Sequence, residues 1–360
     1  MNQITKYANT PRRSLSSRPR LLPGLTLLSR APDVAQLGHA LCVTGSKRIY
    51  ELLRGLDGRH SYTELLQSTT EPELLRELVT DLDESGLLED TGSRPPPGRL
   101  DGDLAARALE GARPRAVLEA RARAAVVIHG DGRIGIATAL ALAAAGVGHV
   151  HLAASGTVRA QDCGTGYRET DVGRPRSTVA PELLRTVSST ARFDRLSPKR
   201  APDLVLFTDT PAARPEIATA LHSAGIPALL AYPRDGTGVI GPLIVPGQTG
   251  CVRCIDLWRT GNDPGWPRIA TQLADLPQPS PLAVAHLTSA ITSAQALRFL
   301  DGDPLGQLRD AAVDVEPDTL NLRWRTWPPN PACTCERQAG QEPAPSSESH
   351  PARQATRERG

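Results

Sequence analysis

The chain has 360 residues, of which 39% are hydrophobic and 22% charged, and its formal net charge is +2 at pH 7. That length allows two domains with cores of their own, and the near balance of charge gives no case for nucleic acid or a membrane surface as the main partner. No apolar run reaches the roughly 18 residues that span a bilayer.

Residues 1–18 are rich in Arg and Ser and lack the apolar run of a signal peptide. Arg12-Arg13 therefore reads as part of a disordered leader on a cytoplasmic protein, not as a twin-arginine signal. Residues 19–92 read as a small domain. Gly24–Leu28 and Val34–Leu37 flank the turn Arg30-Ala31-Pro32-Asp33 and predict a hairpin. Ser46–Leu56, Thr63–Gln67 and Pro72–Ser85 predict helices, with Leu74, Leu75, Leu78 and Leu82 as an apolar stripe on the last. Leu87–Asp90 predicts a returning strand. The plan is winged-helix-like, but the acidic residues Asp81, Asp83, Glu84, Glu89 and Asp90 and the lack of a basic helix speak against DNA.

Residues 93–116 read as a linker. Ser93-Arg94-Pro95-Pro96-Pro97-Gly98 suits neither a helix nor a central strand, and a short Ala-rich helix follows at Asp103–Glu110.

Ala124–Ile128 is a short apolar run rich in β-branched residues, the pattern of a strand buried on both faces. Gly130, Gly132 and Gly135 then form a G-x-G-x-x-G turn. Ile134–Ala145 predicts a helix, Gly146 its C-cap, and Val147–Leu152 a second strand. Such a turn lets the backbone approach a phosphate and offers it the N–H groups of the helix start. Asp203–Asp209, Ala228–Tyr232 and Val239–Val245 predict further strands, with a helix at Ala213–Ala224. The fold class is α/β, and this domain runs over residues 117–336.

Six cysteines are present. Cys251 and Cys254 form C-x-x-C, and Cys333 and Cys335 form C-x-C. Two such pairs predict a closed, structural Zn²⁺ site, because disulfides are disfavoured in a cytoplasmic protein. Nothing near Cys163 predicts an activated thiol. His129 is expected behind the glycine turn, and His149 and His151 read as core or solvated residues. Trp266 suits the core or a partner contact. Residues 337–360 are polar and aperiodic and read as a disordered tail.

The order of these features resembles the ThiF/MoeB family, homologues of ubiquitin-activating enzymes. The residues that carry the resemblance are the glycine turn, Ala144-Ala145-Gly146-Val147-Gly148, Asp171-Val172-Gly173-Arg174-Pro175-Arg176, and the C-x-x-C behind Gly241-Pro242-Leu243. The front domain, Asp263-Pro264-Gly265-Trp266-Pro267 and Pro331-Ala332-Cys333-Thr334-Cys335 resemble the subset that works with YcaO cyclodehydratases on ribosomal peptides. That resemblance implies a Rossmann-like body, and a front domain that binds the leader of a precursor peptide.

Active family members adenylate the C-terminus of a small protein with ATP and magnesium. Carried over, the resemblance places the nucleotide-like pocket at Gly130, Gly132, Arg133, Gly135, Arg176 and Asp209. The ribose acid falls at Ala154, and the next family Asp at Gly156. The Asn-Leu-x-Arg-Gln stretch falls at Asp162-Cys163-Gly164-Thr165-Gly166. The family lysine is Arg176, Arg133 replaces a glycine, and Asp209 retains the magnesium-binding acid. These departures imply a catalytically degenerate adenylyltransferase homologue, with no catalytic residue and without ATP or Mg²⁺. The expected partners are a leader peptide, a YcaO-type cyclodehydratase and a second copy, since relatives are commonly dimeric. The leader would add a strand to an open hairpin edge beside Val34, Leu74 and Leu78. The alternatives are an active ThiF-type adenylyltransferase and a dinucleotide-dependent enzyme, the latter disfavoured by Ala154.

Overall fold

The computed structural model describes residues 17–38, 41–90, 98–110, 112, 114–274, 276–302, 306–319 and 321–335. The tail expected at 337–360, and the leader except Ser17 and Arg18, lie outside the described residues.

The front unit comprises β1 (Pro19–Leu21), β2 (Leu27–Ala31), β3 (Val34–Leu37), β4 (Leu41–Thr44), α1 (Ile49–Gly55), α2 (Tyr62–Ser68), α3 (Pro72–Glu84) and β5 (Leu88–Asp90). The expected hairpin is β2–β3, but β4 pairs antiparallel with the far side of β3. Val34 therefore lies on a central strand and not on an edge. The shortness of β4 hid it from the sequence reading. Leu78 is also corrected: it is 3% exposed within the core, and only Leu74 of the α3 pair is half-buried. Ser61 starts α2 with a capping box, accepting from the Glu64 N–H while the Glu64 carboxylate accepts from the Ser61 N–H.

α4 (Asp101–Leu109) and α5 (Pro114–Arg123) follow. From Leu100 onward, the segment expected as a linker is part of the front core. Leu100, Leu104, Ala105, Ala108 and Val117 bury in one cluster with Leu37, Ile49, Leu53, Leu75 and Leu82.

The body comprises β6 (Ala125–His129), α6 (Arg133–Ala144), β7 (His149–Ala153), α7 (Arg176–Val187), β8 (Leu204–Thr208), α8 (Pro215–Ser223), β9 (Ala228–Arg234), β10 (Thr237–Ile244), α9 (Val252–Asn262), α10 (Trp266–Leu273), α11 (Leu282–Leu300), β11 (Ala311–Glu316) and β12 (Asn321–Thr326). Its sheet runs β12-β11-β10-β9-β8-β6-β7. The four strands β7, β6, β8 and β9 are parallel, and pairing from β9 to β12 is antiparallel. Every residue of β8 is buried, Leu204–Phe207 as an unbroken apolar run and Thr208 at its end. This is a Rossmann-like α/β body behind a smaller β-rich front unit.

α11 packs on α6 and on β10. Its inward face carries Thr288, Ser289, Thr292 and Ser293. Thr292 Oγ1 and Ser293 Oγ each donate to the carbonyl four residues back, at 2.7 Å, so two of these hydroxyls are satisfied without water. A Cβ at Gly238 would lie 2.0 Å from Thr288 Oγ1, so β10 needs glycine where α11 crosses it. Among the described residues no helix is long and apolar enough to cross a membrane.

Asp301, at the end of α11, joins the two units. Its carboxylate accepts two bonds from Arg121 of α5, each 2.8 Å, and pairs at 3.2 Å with Arg107 of α4. Its side chain is 0% and that of Arg121 2% exposed. Removing one partner of a buried pair strands the other charge. Asp301→Ala should therefore cost about 3–5 kcal/mol of stability in urea unfolding; a loss under about 1 kcal/mol would mean that the pair does not hold the units together.

Candidate functional site

The glycine turn follows β6, and β8 ends beside it. Gly130 has φ +122°, and a Cβ there would lie 2.2 Å from the Thr208 carbonyl. A Cβ at Gly135 would lie 2.0 Å from the Gly130 carbonyl. Both positions thus demand glycine for the close packing of strand, turn and helix.

Asp209 follows β8 in a left-handed conformation, φ +68°. Its carboxylate lies on the start of α6 and accepts the N–H groups of Gly132 at 3.0 Å, Ile134 at 3.2 Å and Gly135 at 3.3 Å. Thr208 Oγ1 donates to it at 3.0 Å. Burial pushes this carboxyl above the usual range, while the hydrogen bonds from Thr208, Gly132 and Ile134 pull it back. A Cβ at Gly132 would meet Asp209 Oδ1 at 2.8 Å. The room that a second glycine leaves for a phosphate in such turns is taken here by the chain's own carboxylate.

Arg176, at the start of α7, is equally engaged. It pairs with Asp131 at 3.1 Å and with Asp162, and donates to the Ser155 carbonyl at 3.2 Å. Asp131, inside the glycine turn, also accepts the Ser155 N–H at 2.7 Å. Ser155 follows Ala154, where the family's ribose acid falls, so the backbone at that end of the pocket is bound to Asp131. The sequence reading missed Asp131, because the middle residue of a glycine turn carries no pattern of its own.

Arg133 does not point toward a phosphate. Its Nε donates to the Cys163 carbonyl at 3.0 Å and its Nη1 to the Ser280 carbonyl at 2.8 Å. Gln278 N–H donates to the Asp209 carbonyl at 3.0 Å. The segment before α11 thus straps across the turn. The structure brings all six pocket residues together, and the polar groups named at Arg133, Arg176 and Asp209 are bound within the chain.

Cys163 is buried, its thiol is pushed up chiefly by that burial, and its Sγ lies 3.2 Å from the Arg168 carbonyl. That is the environment of an inert thiol. His129 stacks on Phe207 with ring centroids 5.4 Å apart, and His149 bonds the Asp194 carbonyl at 2.8 Å.

The cysteine site is a separate centre. Cys251 caps α9, Cys254 lies one turn on, and Cys333 and Cys335 arrive from beyond β12. Cys251 Sγ lies 3.8 Å from Cys254 and 3.6 Å from Cys333, and Cys254 Sγ lies 3.5 Å from Cys335. All four sulfurs fall within 4.8 Å of one another. A tetrahedral zinc with Zn–S of about 2.3 Å sets its sulfurs roughly 3.8 Å apart, so the donor set fits zinc. The incoming segment is clamped nearby. Trp258 Nε1 donates to the Pro328 carbonyl at 2.7 Å, and the Arg259 guanidinium lies 4.5 Å from the Trp266 ring and 5.3 Å from that of Trp327. Trp266 is thus a structural contact within the chain.

A mixed sheet with a glycine turn after the inner parallel strand β6, and a four-cysteine cluster at the antiparallel end, define a ThiF-type α/β protein. The profile of the ThiF family matches residues 107–336, and the chain belongs to that family. Among solved structures, E. coli MccB with ATP is similar over 88% of this chain and 99% of its own, at 18% identity and TM-score 0.64. The Microcin C7 biosynthetic enzyme MccB in complex with N-formylated MccA is similar over 88% and 99%, at 19% and TM-score 0.64. PaaA is similar over 74% and 95%, at 17% and TM-score 0.57. No curated protein sequence matches this chain.

Metal analysis of the purified protein should find about one zinc per chain, as four thiolates around one ion require. Cys254→Ser should lower both zinc content and melting temperature, since metal binding acts as folding energy; an unchanged melting temperature in a metal-free protein would refute the site.

Proposed function

We propose that this chain is a non-adenylating ThiF-family scaffold of the cytoplasm. Its front unit binds the leader of a ribosomal precursor peptide and presents the core to a YcaO-type cyclodehydratase for azoline formation. The observation that carries the reading is the state of Arg176. It stands where the family's nucleotide-contacting lysine falls, and it is neutralised by Asp131 and Asp162. With Ala154 at the ribose position and Thr165 in place of the phosphate arginine, a triphosphate would meet more acid than base.

The likeness to MccB bound to N-formylated MccA supports a peptide-handling role for this chain. The likeness to MccB with ATP keeps the alternative reading, an active adenylyltransferase, in view, and the two readings differ in a direct assay. ATP–pyrophosphate exchange should be undetectable, with or without the peptide. Exchange that Asp209→Ala abolishes would establish the alternative.

Leader capture is assigned to the edge of β4 beside α3. There a Cβ at Gly45 would lie 3.4 Å from Leu74, so the half-buried Leu74 borders the groove with β4. An extended peptide on that edge would gain main-chain hydrogen bonds, with side-chain selectivity from the helix. Tethering the leader raises the concentration of the core peptide at the partner's active site. Leu74→Glu in the full chain should weaken leader binding about tenfold or more, roughly 1.4 kcal/mol. Leu28→Glu, on the opposite edge strand β2, should leave it unchanged; the reverse pattern would move the groove to β2.

A further inference from the structure

The Asp209 carboxylate has an occupation of its own. Three backbone N–H groups at the start of α6 converge on it, with the Thr208 hydroxyl as a fourth donor. Free N–H groups at a helix start, with the helix dipole behind them, form the general binding site for an anion. Here an internal anion fills that site. The Asp209 backbone is turned left-handed, φ +68°, and its carbonyl accepts the Gln278 N–H of the strap. One residue thus plugs the site with its side chain and ties down the cover with its main chain. Arg133 holds the same strap at Ser280.

A second feature lies among the same charged groups. Tyr167 is 1% exposed, and its hydroxyl has no hydrogen-bond partner among the described residues. Its electrostatic neighbours are Asp131, Arg176, Asp162 and Asp209. A buried hydroxyl without a partner is costly, and among the described residues the buried Arg176 Nε is likewise left without one.

We propose that Asp209 is an intramolecular stand-in for phosphate, and that its carboxylate, with the strap that its carbonyl holds, keeps the α6 anion site closed. Taking the carboxylate away opens the site to a phosphate-class anion, which takes up the three N–H groups and the Tyr167 hydroxyl. The proposal rests on the non-adenylating reading of the pocket.

The test uses the full-length, zinc-loaded chain and inorganic pyrophosphate as the probe, followed by calorimetry. Asp209→Gly removes the carboxylate and keeps the left-handed backbone at no steric cost. Asp209→Asn keeps the shape and removes the charge. The wild-type chain should not bind pyrophosphate measurably. Asp209→Gly should bind it at least about tenfold more tightly, the scale of one charge-assisted hydrogen bond, and the ligand should raise that variant's melting temperature. If the Gly variant does not fold, the Asn variant decides, and it too should gain binding. A folded variant with no gain, or a wild-type chain that binds as tightly as the variant, would overturn the plug. Adenylation is read separately: pyrophosphate exchange by the wild-type chain refutes the non-adenylating reading. A silent wild type with no gain in either variant refutes the plug alone.

Discussion

The start of α6 leaves N–H groups without helical partners, and they are buried where three segments meet. Buried donors of this kind must be matched. In this chain Asp209 matches them, and the match fixes the register between β6, its turn and the end of β8. Much else follows from that position. Gly130 and Gly135 are confined to glycine because turn, helix and β8 approach so closely. The segment before α11 lies across the turn because the Asp209 carbonyl and Arg133 bind it there. Arg176 closes the neighbouring side with Asp131 and Asp162. The outcome is a nucleotide-type fold in which Asp131, Asp162, Asp209, Arg133 and Arg176 all have partners within the chain.

The far end of the sheet depends on a different constraint. β9 to β12 turn antiparallel, and the chain then returns to α9 through Cys333 and Cys335. Sulfurs 3.5–3.8 Å apart repel as thiolates and attract around a divalent ion. The stacking of Arg259 between Trp266 and Trp327 secures the same segment by its apolar surface. Front unit and body meet through Asp301, whose carboxylate serves Arg121 and Arg107 from the two helices between them. These helices bury with the front core, so a front fragment ending at residue 92 would expose the Leu37–Leu82 cluster where Leu104 and Val117 cover it.

The strand–turn–helix unit, the four cysteines and the apolar stripe of α3 were legible in the sequence, because each is a local pattern of period, spacing or residue type. β4 was not, since its four residues carry too little alternation. That one strand moved Val34 from an edge to the centre of its sheet. Leu78 was legible as apolar, but apolar residues on one helix stripe divide between core and groove only when the neighbouring strands are in place. The run of Thr and Ser in α11 gave no amphipathic signal, although the hydroxyls of Ser289, Thr292 and Ser293 are satisfied within the helix and this face packs like an apolar one.

The sequence by itself determined the α/β class, the glycine turn and the four cysteines of the cluster, for these are matters of which residue stands where. Only the tertiary structure decided what the charged residues do. Asp131, Asp162, Asp209, Arg133 and Arg176 come from four separate stretches of chain, and each has the composition of a ligand-binding group. Asp131 and Asp162 pair with Arg176, Asp209 takes backbone N–H groups and Arg133 takes backbone carbonyls, because folding brings these groups within hydrogen-bond distance inside a largely buried region, and partners of that kind leave no mark on local sequence.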